Sequence, residues 1–290
     1  VEEAHRLGYE ALALTDTNGL YGIVRFSQMA IEKNIRPIFG SEITLDNGHH
    51  LLLLIKDAVG YANLCSLISD AKLKSKKDET KITKESLASH RDGLIALSGC
   101  ALGELPSAIL KKDLPTAQRV ASEYRELFGA DNFYLEMQHH NLPDNQVLCE
   151  QLSLLGRQLD IETVATNNVH YATKKARMLQ DVLTCIKNHT TLDDAANLLY
   201  PNAERYLKPP EKMIRRFANY PEAIENSAAI AGRCSFSLDN LQTTLPDFPV
   251  PDGETVHSYL RKLTYEGAKV RYRELTPKVV GQLEHELKII

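Results

Sequence analysis

Several side chains of types that bind transition metals follow apolar, strand-like runs of this sequence. Glu42, Cys100 and His170 each lie at or just beyond the carboxyl end of such a run, and Asp16 and His140 hold the same position on two others. Parallel barrels collect their functional groups at the carboxyl ends of strands, so these side chains are expected to converge. Carboxylate, thiolate and imidazole together favour zinc, manganese or iron over magnesium or calcium. Such a cluster can activate water for attack on a phosphate ester.

Each of these residues also has a simpler structural explanation. Asp16 precedes an Asn-Gly pair and is typical of a turn, and a lone cysteine such as Cys100 is most often a small buried apolar residue. His50 and His170 are each equally typical of a hydrogen-bonded core histidine, and His50 begins a strand-like run instead of ending one. Glu42, on an apolar strand, is better explained as a site residue or a buried partner. The metal hypothesis therefore depends on the coincidence of all these residues at strand ends.

Apolar runs alternate with helical patterns through the first part of the chain, which predicts parallel β/α units arranged as a barrel. The predicted strands are residues 11–15, 36–45, 50–55, 93–98, 132–138 and 161–166. After Tyr171 the pattern becomes mainly helical, and a proline-rich stretch within residues 241–254 cannot continue a helix. This stretch is the predicted linker, and helical patterns resume from residue 255 to the end.

Composition and charge exclude several classes of protein. The 34 Lys and Arg residues against 38 Asp and Glu residues give a formal charge of -4, so no general positive field holds nucleic acid. The longest apolar run, residues 51–55, is far too short to cross a bilayer. The five cysteines are odd in number and form no CxxC pair, which is typical of reduced thiols in a reducing compartment. We therefore expect a cytoplasmic protein with no membrane partner. The signatures of dinucleotide-binding, P-loop and serine-hydrolase sites are missing from the sequence.

A series of motifs runs in order along most of the chain. The series comprises Ala11-Leu-Ala-Leu-Thr-Asp, Ile38-Phe-Gly-Ser-Glu, His50-Leu-Leu-Leu-Leu-Ile-Lys, Gly93-Leu-Ile-Ala-Leu-Ser-Gly-Cys, Phe133-Tyr-Leu-Glu-Met-Gln, Val164-Ala-Thr-Asn-Asn-Val-His-Tyr, Gln180-Asp-Val-Leu-Thr-Cys-Ile, Glu204-Arg-Tyr-Leu-Lys-Pro-Pro-Glu-Lys-Met and Leu283-Glu-His-Glu-Leu-Lys-Ile-Ile. It resembles the polymerase-and-histidinol-phosphatase (PHP) domain, in the version found in bacterial C-family DNA polymerases. That family comprises DNA polymerase III α subunits and their error-prone relatives, and the Thr15-Asp-Thr-Asn-Gly-Leu-Tyr-Gly motif favours the error-prone branch.

The resemblance implies an α/β fold, a distorted (β/α)7 PHP barrel followed by a mainly helical segment that leads into a polymerase palm. Residues 1–240 would form the barrel, without the family's opening strand and His-x-His motif, which would precede Val1. Residues 241–254 would be the Pro-rich linker, and residues 255–290 the start of the palm domain. A barrel of this family binds up to three metal ions.

Carried over position by position, the resemblance makes Glu42, His50, Cys100 and His170 metal ligands. Thr17 stands where the family has a ligand histidine, and Asn168 where it has a ligand aspartate. Losing an imidazole and a carboxylate lowers the affinity of a polynuclear site for cations. We therefore expect a degenerate site with partial or no occupancy by Zn²⁺ or Mn²⁺. Asp16 and His140 would orient ligands without binding the metal.

The leading functional hypothesis is the amino-terminal PHP-domain part of a DNA-directed DNA polymerase, in which the domain serves as a scaffold. The parent would use Mg²⁺, primer–template DNA and deoxynucleotides in domains outside this chain, and this fragment alone would not polymerise. An exonuclease subunit and a sliding clamp are the candidate protein partners. The alternatives are a metal-dependent phosphoesterase or 3′–5′ exonuclease using the barrel pocket, and an interaction module without catalysis.

Overall fold

The structure, a computed structural model, describes residues 1–76, 80–241 and 246–290. The chain divides into two compact units, Val1–Asn240 and Leu241–Ile290. The larger unit is an α/β fold built on a six-stranded sheet, and the smaller unit is helical. Among the helices described, none combines the length and the apolar character needed to cross a bilayer.

All six predicted strands are present in the larger unit, with ends that differ from the prediction by at most two residues. The strands are β1 (Ala11–Thr17), β2 (Arg36–Thr44), β3 (His50–Ile55), β4 (Leu94–Leu97), β5 (Phe133–Gln138) and β6 (Thr163–Thr166). The helices are α1 (Glu2–Arg6), α2 (Ile23–Glu32), α3 (Ala58–Lys74), α4 (Lys84–Ser89), α5 (Glu104–Leu110), α6 (Leu114–Phe128), α7 (Pro143–Leu159), α8 (Arg177–Lys187), α9 (Pro210–Arg216) and α10 (Pro221–Arg233).

The strands lie side by side in chain order from β1 to β6. β1 is parallel to β2, and β4, β5 and β6 are parallel to one another, but β3 is antiparallel to both of its neighbours. The prediction of uniformly parallel strands is therefore wrong for β3. Only residues 45–49 separate β2 from β3, which is too few for the crossover that a parallel pair requires. Gly48, with φ of +83°, lies in the tight turn that joins the two strands.

The sheet buries apolar side chains on both faces, because neighbouring side chains of a strand point to opposite sides. One face packs against the helices and forms the larger core, with Phe39, Leu53 and Phe133 among its members. The other face holds a smaller apolar cluster, to which β2, β3, β4, β5 and β6 contribute Ile38, Leu54, Ile95, Leu97, Tyr134 and Val164. By the alternation along β2 and β3, Glu42 and His50 extend this inner face towards one rim.

Helix α3 approaches the start of β4 closely through two glycines. A Cβ atom on Gly60 would lie 1.9 Å from the carbonyl oxygen of Gly93, and Gly93 itself has a φ of +74°. Asp57 caps α3 by accepting a hydrogen bond from the Gly60 backbone N–H at 3.0 Å. The contact fixes the helix against the strand that leads to Cys100.

The smaller unit contains two helices, α11 (Val256–Arg271) and α12 (Pro277–Ile289). A capping box in which Thr255 and Ser258 exchange hydrogen bonds starts α11. Arg261 on α11 holds both carboxylate oxygens of Glu284 on α12 at 2.5 and 2.8 Å, and Tyr265 donates to the same carboxylate. Residues 242–245 of the predicted linker lie outside the described residues, and residues 246–250 adopt neither helix nor strand.

Candidate metal centre

The β2–β3 hairpin places Glu42 and His50 side by side. In the antiparallel register Thr44 pairs with His50 and Glu42 pairs with Leu52, so both functional side chains point to the inner face. His50 Nδ1 lies 3.1 Å from Glu42 Oε1, and about four-fifths of each side chain is covered. The hairpin alone therefore supplies two of the four predicted ligands.

A loop after β4 carries Cys100 to the same place. Its Gly99 has a φ of +85°, and a Cβ atom there would lie 2.9 Å from the His50 carbonyl oxygen. The His50 N–H donates to the Leu102 carbonyl oxygen at 3.1 Å, and Gly103 pairs with His50 as an isolated bridge. These contacts lay the loop across the first residue of β3. One donor atom from each of Glu42, His50 and Cys100 lies within 4.8 Å of the other two.

The charge state of His50 follows from these neighbours. The neighbouring Cys100 side chain and then the Glu42 carboxylate raise the pKa of His50 to about 10, although partial burial opposes the shift. Without metal, the imidazole is therefore protonated at neutral pH and forms an ion pair with the carboxylate. A metal ion must displace this proton, because imidazole binds metals in its neutral form.

The arrangement fits a tetrahedral metal ion. His50 Nδ1 is buried, and the part of the chain that the structure describes offers it no partner in hydrogen-bonding alignment, even though Glu42 Oε1 is 3.1 Å away. Nitrogen and oxygen ligands of one tetrahedral zinc lie about 3.3 Å apart, given bonds of about 2.0–2.1 Å. The two atoms are thus spaced as ligands of one ion, and the Cys100 sulfur provides a third ligand of the kind that zinc prefers.

His170 lies near this group but does not join it. The group of three donors within 4.8 Å contains Glu42, His50 and Cys100, whereas His170 Nε2 is 3.1 Å from the Tyr200 hydroxyl. His170 is exposed at the surface, but partial desolvation and then the Arg205 guanidinium lower its pKa, while the Glu42 carboxylate raises it. The centroid of the His170 ring lies 5.1 Å from that of the Tyr200 ring, and burial raises the pKa of Tyr200 with additions from the Cys100 and Glu42 charges. The structure therefore brings together three of the four predicted ligands and places the fourth beside them.

The two positions predicted to be degenerate, Thr17 and Asn168, lie at or just beyond the carboxyl ends of β1 and β6. Thr17 is exposed at the end of β1, directly opposite Glu42 in the parallel register. Asn168 has a φ of +40°, a left-handed conformation that asparagine tolerates better than most residues. A hydroxyl and a neutral amide are weaker cation ligands than imidazole and carboxylate, so these positions add little affinity.

Asp16 and His140 support the rim in different ways. The Asp16 carboxylate accepts a hydrogen bond from the Gly22 N–H at 2.8 Å, which is the turn role considered as the alternative from sequence. His140 is 3% exposed, and its Nε2 lies 3.0 Å from the Asn167 carbonyl oxygen. Burial and then Arg205 lower the pKa of His140 to about 4. His140 therefore holds, as a neutral imidazole, the backbone that leads to His170.

Sequence reasoning missed Glu136 as a candidate. This residue is 4% exposed within β5, accepts hydrogen bonds from the Thr166 hydroxyl and from Gln138 Nε2, and lies on the inner face. Burial raises the pKa of Glu136, and the Glu42 carboxylate adds to the shift. The signal was present, because a charged residue at an inward position of an otherwise apolar strand is rare without a partner.

Comparisons with known proteins identify sequences that are similar to this chain. The family model for the PHP domain matches residues 1–140. Over the whole chain, the sequence is 42% identical to an error-prone DNA polymerase of Symbiobacterium thermophilum and 33% identical to a DNA polymerase III α subunit of Treponema pallidum. The α subunit of Thermus aquaticus is 37% identical over 90% of this chain. The chain spans 28%, 26% and 23% of these three relatives, respectively.

A solved structure from Bifidobacterium adolescentis, provisionally described as a metal-dependent phosphoesterase, is also similar. It shares 15% identity and a TM-score of 0.37, and the match covers 58% of this chain and 79% of that protein. The sequence comparisons are far stronger and cover every residue of the larger unit. Residues 1–140 therefore match the PHP domain, and the chain is similar to DNA polymerase III α subunits and error-prone DNA polymerases along its full length.

Proposed function

We propose that this chain is the PHP-domain part of a C-family DNA polymerase and acts there as a scaffold that retains a site for one metal ion. The observation that carries the proposal is the group of Glu42, His50 and Cys100, three donors within 4.8 Å of one another. A polynuclear centre would need further strong ligands, but Thr17 and Asn168 occupy two of the family's positions. The donors that remain suffice for one ion.

The metal we propose is Zn²⁺, with Mn²⁺ as the second choice. A thiolate and an imidazole favour zinc, and three protein ligands with an open fourth position are typical of zinc sites that bind water or substrate. When bound, the ion would supply Lewis acidity and a water of lowered pKa. The protein's own contribution is to hold the ligands on a rigid hairpin and loop, with His170 beside them.

The open fourth position also supports the second candidate function, a metal-dependent phosphoesterase or 3′–5′ exonuclease. In that case His170, whose pKa the Glu42 charge influences, would be a candidate for an additional base or ligand. Scaffold and enzyme differ in whether the single ion turns over a phosphate ester. We favour the scaffold because hydrolysis in such sites commonly uses two metals to hold both the attacking and the leaving oxygen.

For the whole protein we propose DNA-directed DNA synthesis with Mg²⁺, deoxynucleotides and primer–template DNA bound in other domains. The names of the full-length relatives support this activity, and an exonuclease subunit and a sliding clamp are the proposed partners. Within the chain, we propose that the sheet is part of a (β/α)7 barrel, residues 241–254 are a linker, and α11 and α12 begin the palm. The division between Asn240 and Leu241 supports that boundary.

Metal stoichiometry tests the proposed site. The purified chain is loaded with Zn²⁺ or Mn²⁺, dialysed, and measured by elemental mass spectrometry. We expect one Zn²⁺ per chain. Glu42→Gln should lower the affinity for Zn²⁺ by at least tenfold to a hundredfold, since even residues that only orient ligands contribute that much. The double variant Thr17→His with Asn168→Asp restores two ligand types and should bind more than one ion.

Activity then separates the two candidate functions. The loaded protein is assayed with a generic phosphate ester and with single-stranded DNA. Turnover that disappears in both Glu42→Gln and His170→Ala would establish the phosphoesterase and refute the scaffold. Failure of the wild-type chain to bind any transition metal would overturn the proposed metal site itself.

A further inference from the structure

A second polar cluster lies beside the metal centre, on the far side of Tyr200. Across the described residues, five buried side-chain nitrogen or oxygen atoms have no hydrogen-bond partner, and three of them are Tyr171 Oη, Arg177 Nε and Arg205 Nη1. All three atoms carry hydrogens that can be donated. Tyr171 is 7% exposed, so its hydroxyl is shielded from bulk water. Arg177 Nε forms an ion pair with Asp181 Oδ2 at 3.4 Å, so Tyr171 Oη and Arg205 Nη1 are the two donors of this cluster left without a partner, and leaving a buried donor unpaired costs about 1–3 kcal/mol.

Tyr200 connects the two arginines. Arg205 Cζ lies 4.0 Å from the centroid of the Tyr200 ring, and Arg177 Nη2 donates to the Tyr200 carbonyl oxygen at 2.7 Å. The Tyr200 hydroxyl is 3.1 Å from His170 Nε2. The hydroxyl of Tyr200 therefore contacts His170 beside the metal centre, whereas its ring and its carbonyl oxygen contact the two guanidinium groups.

The same two guanidinium groups act on Tyr171. Burial raises the pKa of the Tyr171 hydroxyl, while the backbone amide of Arg205 and the charges of Arg177 and Arg205 lower it. Asp181 is the acidic residue that influences this hydroxyl, and its Oδ2 is 3.4 Å from Arg177 Nε. One carboxylate against two guanidinium groups leaves the cluster with a net positive charge.

We propose that Tyr171, Arg177 and Arg205 form a binding site for a phosphate group, separate from the metal centre. The donors come from three segments. Tyr171 follows β6, Arg177 is the first residue of α8, and Arg205 precedes Tyr206, which forms an isolated bridge with Tyr171. A hydroxyl and two guanidinium groups from three segments suit a tetrahedral oxyanion better than a planar carboxylate. Guanidinium groups bind phosphate through parallel charge-assisted hydrogen bonds, which satisfies the unpaired donors.

Calorimetric titration with inorganic phosphate tests the proposal. The chain is treated with a chelator beforehand, so that binding at the metal centre does not contribute. We expect saturable binding at one site, with acetate binding much more weakly because it is planar. Tyr171→Phe removes a single oxygen and should weaken phosphate binding about tenfold, since a hydrogen bond to a charged group is lost. Arg205→Gln should weaken it at least tenfold.

Controls separate binding from folding. Arg125 also has a buried Nε without a partner among the described residues, but it lies on α6, where it pairs with Asp160 at 3.1 Å. Arg125→Gln should bind phosphate within twofold of wild type. Tyr171→Phe should melt close to wild type, because the Tyr171 hydroxyl donates no hydrogen bond among the described residues. If Arg205→Gln melts early, Arg205→Lys, which keeps the charge but loses the fork, takes its place.

Two results would overturn the proposal. One is the absence of saturable phosphate binding by the chelator-treated chain, and the other is equal binding by wild type, Tyr171→Phe and Arg205→Gln. The source of the phosphate is then resolved with a deoxynucleoside monophosphate and with short single-stranded oligonucleotides that carry or lack a 5′-phosphate. Tighter binding of both oligonucleotides identifies a backbone phosphate, whereas a requirement for the 5′-phosphate identifies a terminal phosphate.

Discussion

His140 should make the larger unit sensitive to acid in a way that one substitution removes. Burial lowers the pKa of this histidine to about 4 in the folded protein, against about 6.5 for an unfolded chain. Between these values the unfolded state binds more protons than the native state, so stability falls as the pH falls. The stabilising contribution is complete above about pH 6.5 and is lost on acidification towards pH 4.

The size of the effect follows from the shift. Each pKa unit corresponds to about 1.36 kcal/mol, so the full shift sets an upper limit of about 3 kcal/mol. Between about pH 7.5 and pH 5, His140 alone should remove about 2 kcal/mol from the free energy of unfolding. His140→Gln places an uncharged amide where Nε2 donates to the Asn167 carbonyl oxygen, so this variant should lack that share of the loss.

Urea unfolding at both pH values, on wild type and on His140→Gln, measures the difference. Other carboxylates and histidines titrate in both proteins, so their contributions cancel in the comparison. If both proteins lose the same free energy between the two pH values, then His140 is not held neutral and the reasoning from its burial is wrong. If the substitution changes how much surface unfolding exposes, the slope of the unfolding free energy against urea concentration changes, and this effect can be separated from the pH effect.

Two further predictions concern stability. Lys208, whose side chain is fully buried, donates to Asn167 Oδ1 at 2.7 Å and to the Glu204 carbonyl oxygen, so Lys208→Met should leave Asn167 Oδ1 without its donor and cost about 1–3 kcal/mol in urea unfolding, while the Glu204 carbonyl oxygen keeps the hydrogen bond from Asn167 Nδ2 at 3.1 Å. Gly60→Ala should cost about 2–3 kcal/mol, because the new Cβ would meet the Gly93 carbonyl oxygen at 1.9 Å. The matched Gly232→Ala in α10 meets nothing within 4 Å and should stabilise the unit by about 0.5–1 kcal/mol, so equal effects of the two substitutions would contradict the predicted steric cost.

The strands could be predicted from sequence because their apolar runs are continuous, but their directions could not be read from the same signal. Hydrophobic runs report burial, and a strand buried on both faces gives the same run whether it is parallel or antiparallel. The length of the connection between β2 and β3 did indicate that these two strands are antiparallel. Four residues between Leu45 and His50 permit a hairpin and exclude a crossover helix, and His50 at the start of its run was the visible consequence.

The candidate site was predictable only in part, for a physical reason. Glu42, Cys100 and His50 stand at strand ends, where residue type and position together indicate chemistry. Glu136 lies inside β5, where the alternation of side chains places it on the inner face, so it could have been found from the sequence. The buried donors of Tyr171 and Arg205 gave no such signal, because an arginine or tyrosine in a segment without regular structure is normally exposed.

The reversal of β3 has a consequence for how the centre assembles. Glu42 and His50 are separated by one short hairpin, so two of the three ligands are encoded locally, while Cys100 lies 50 residues further along the chain. A cation bound by all three side chains would link the quickly formed β2–β3 hairpin to the distant loop after β4. Its binding would therefore stabilise the docking of β4 onto the hairpin. Lengthening the turn at Asn47 would disturb ligand spacing without touching the apolar core, and so would uncouple loading from folding.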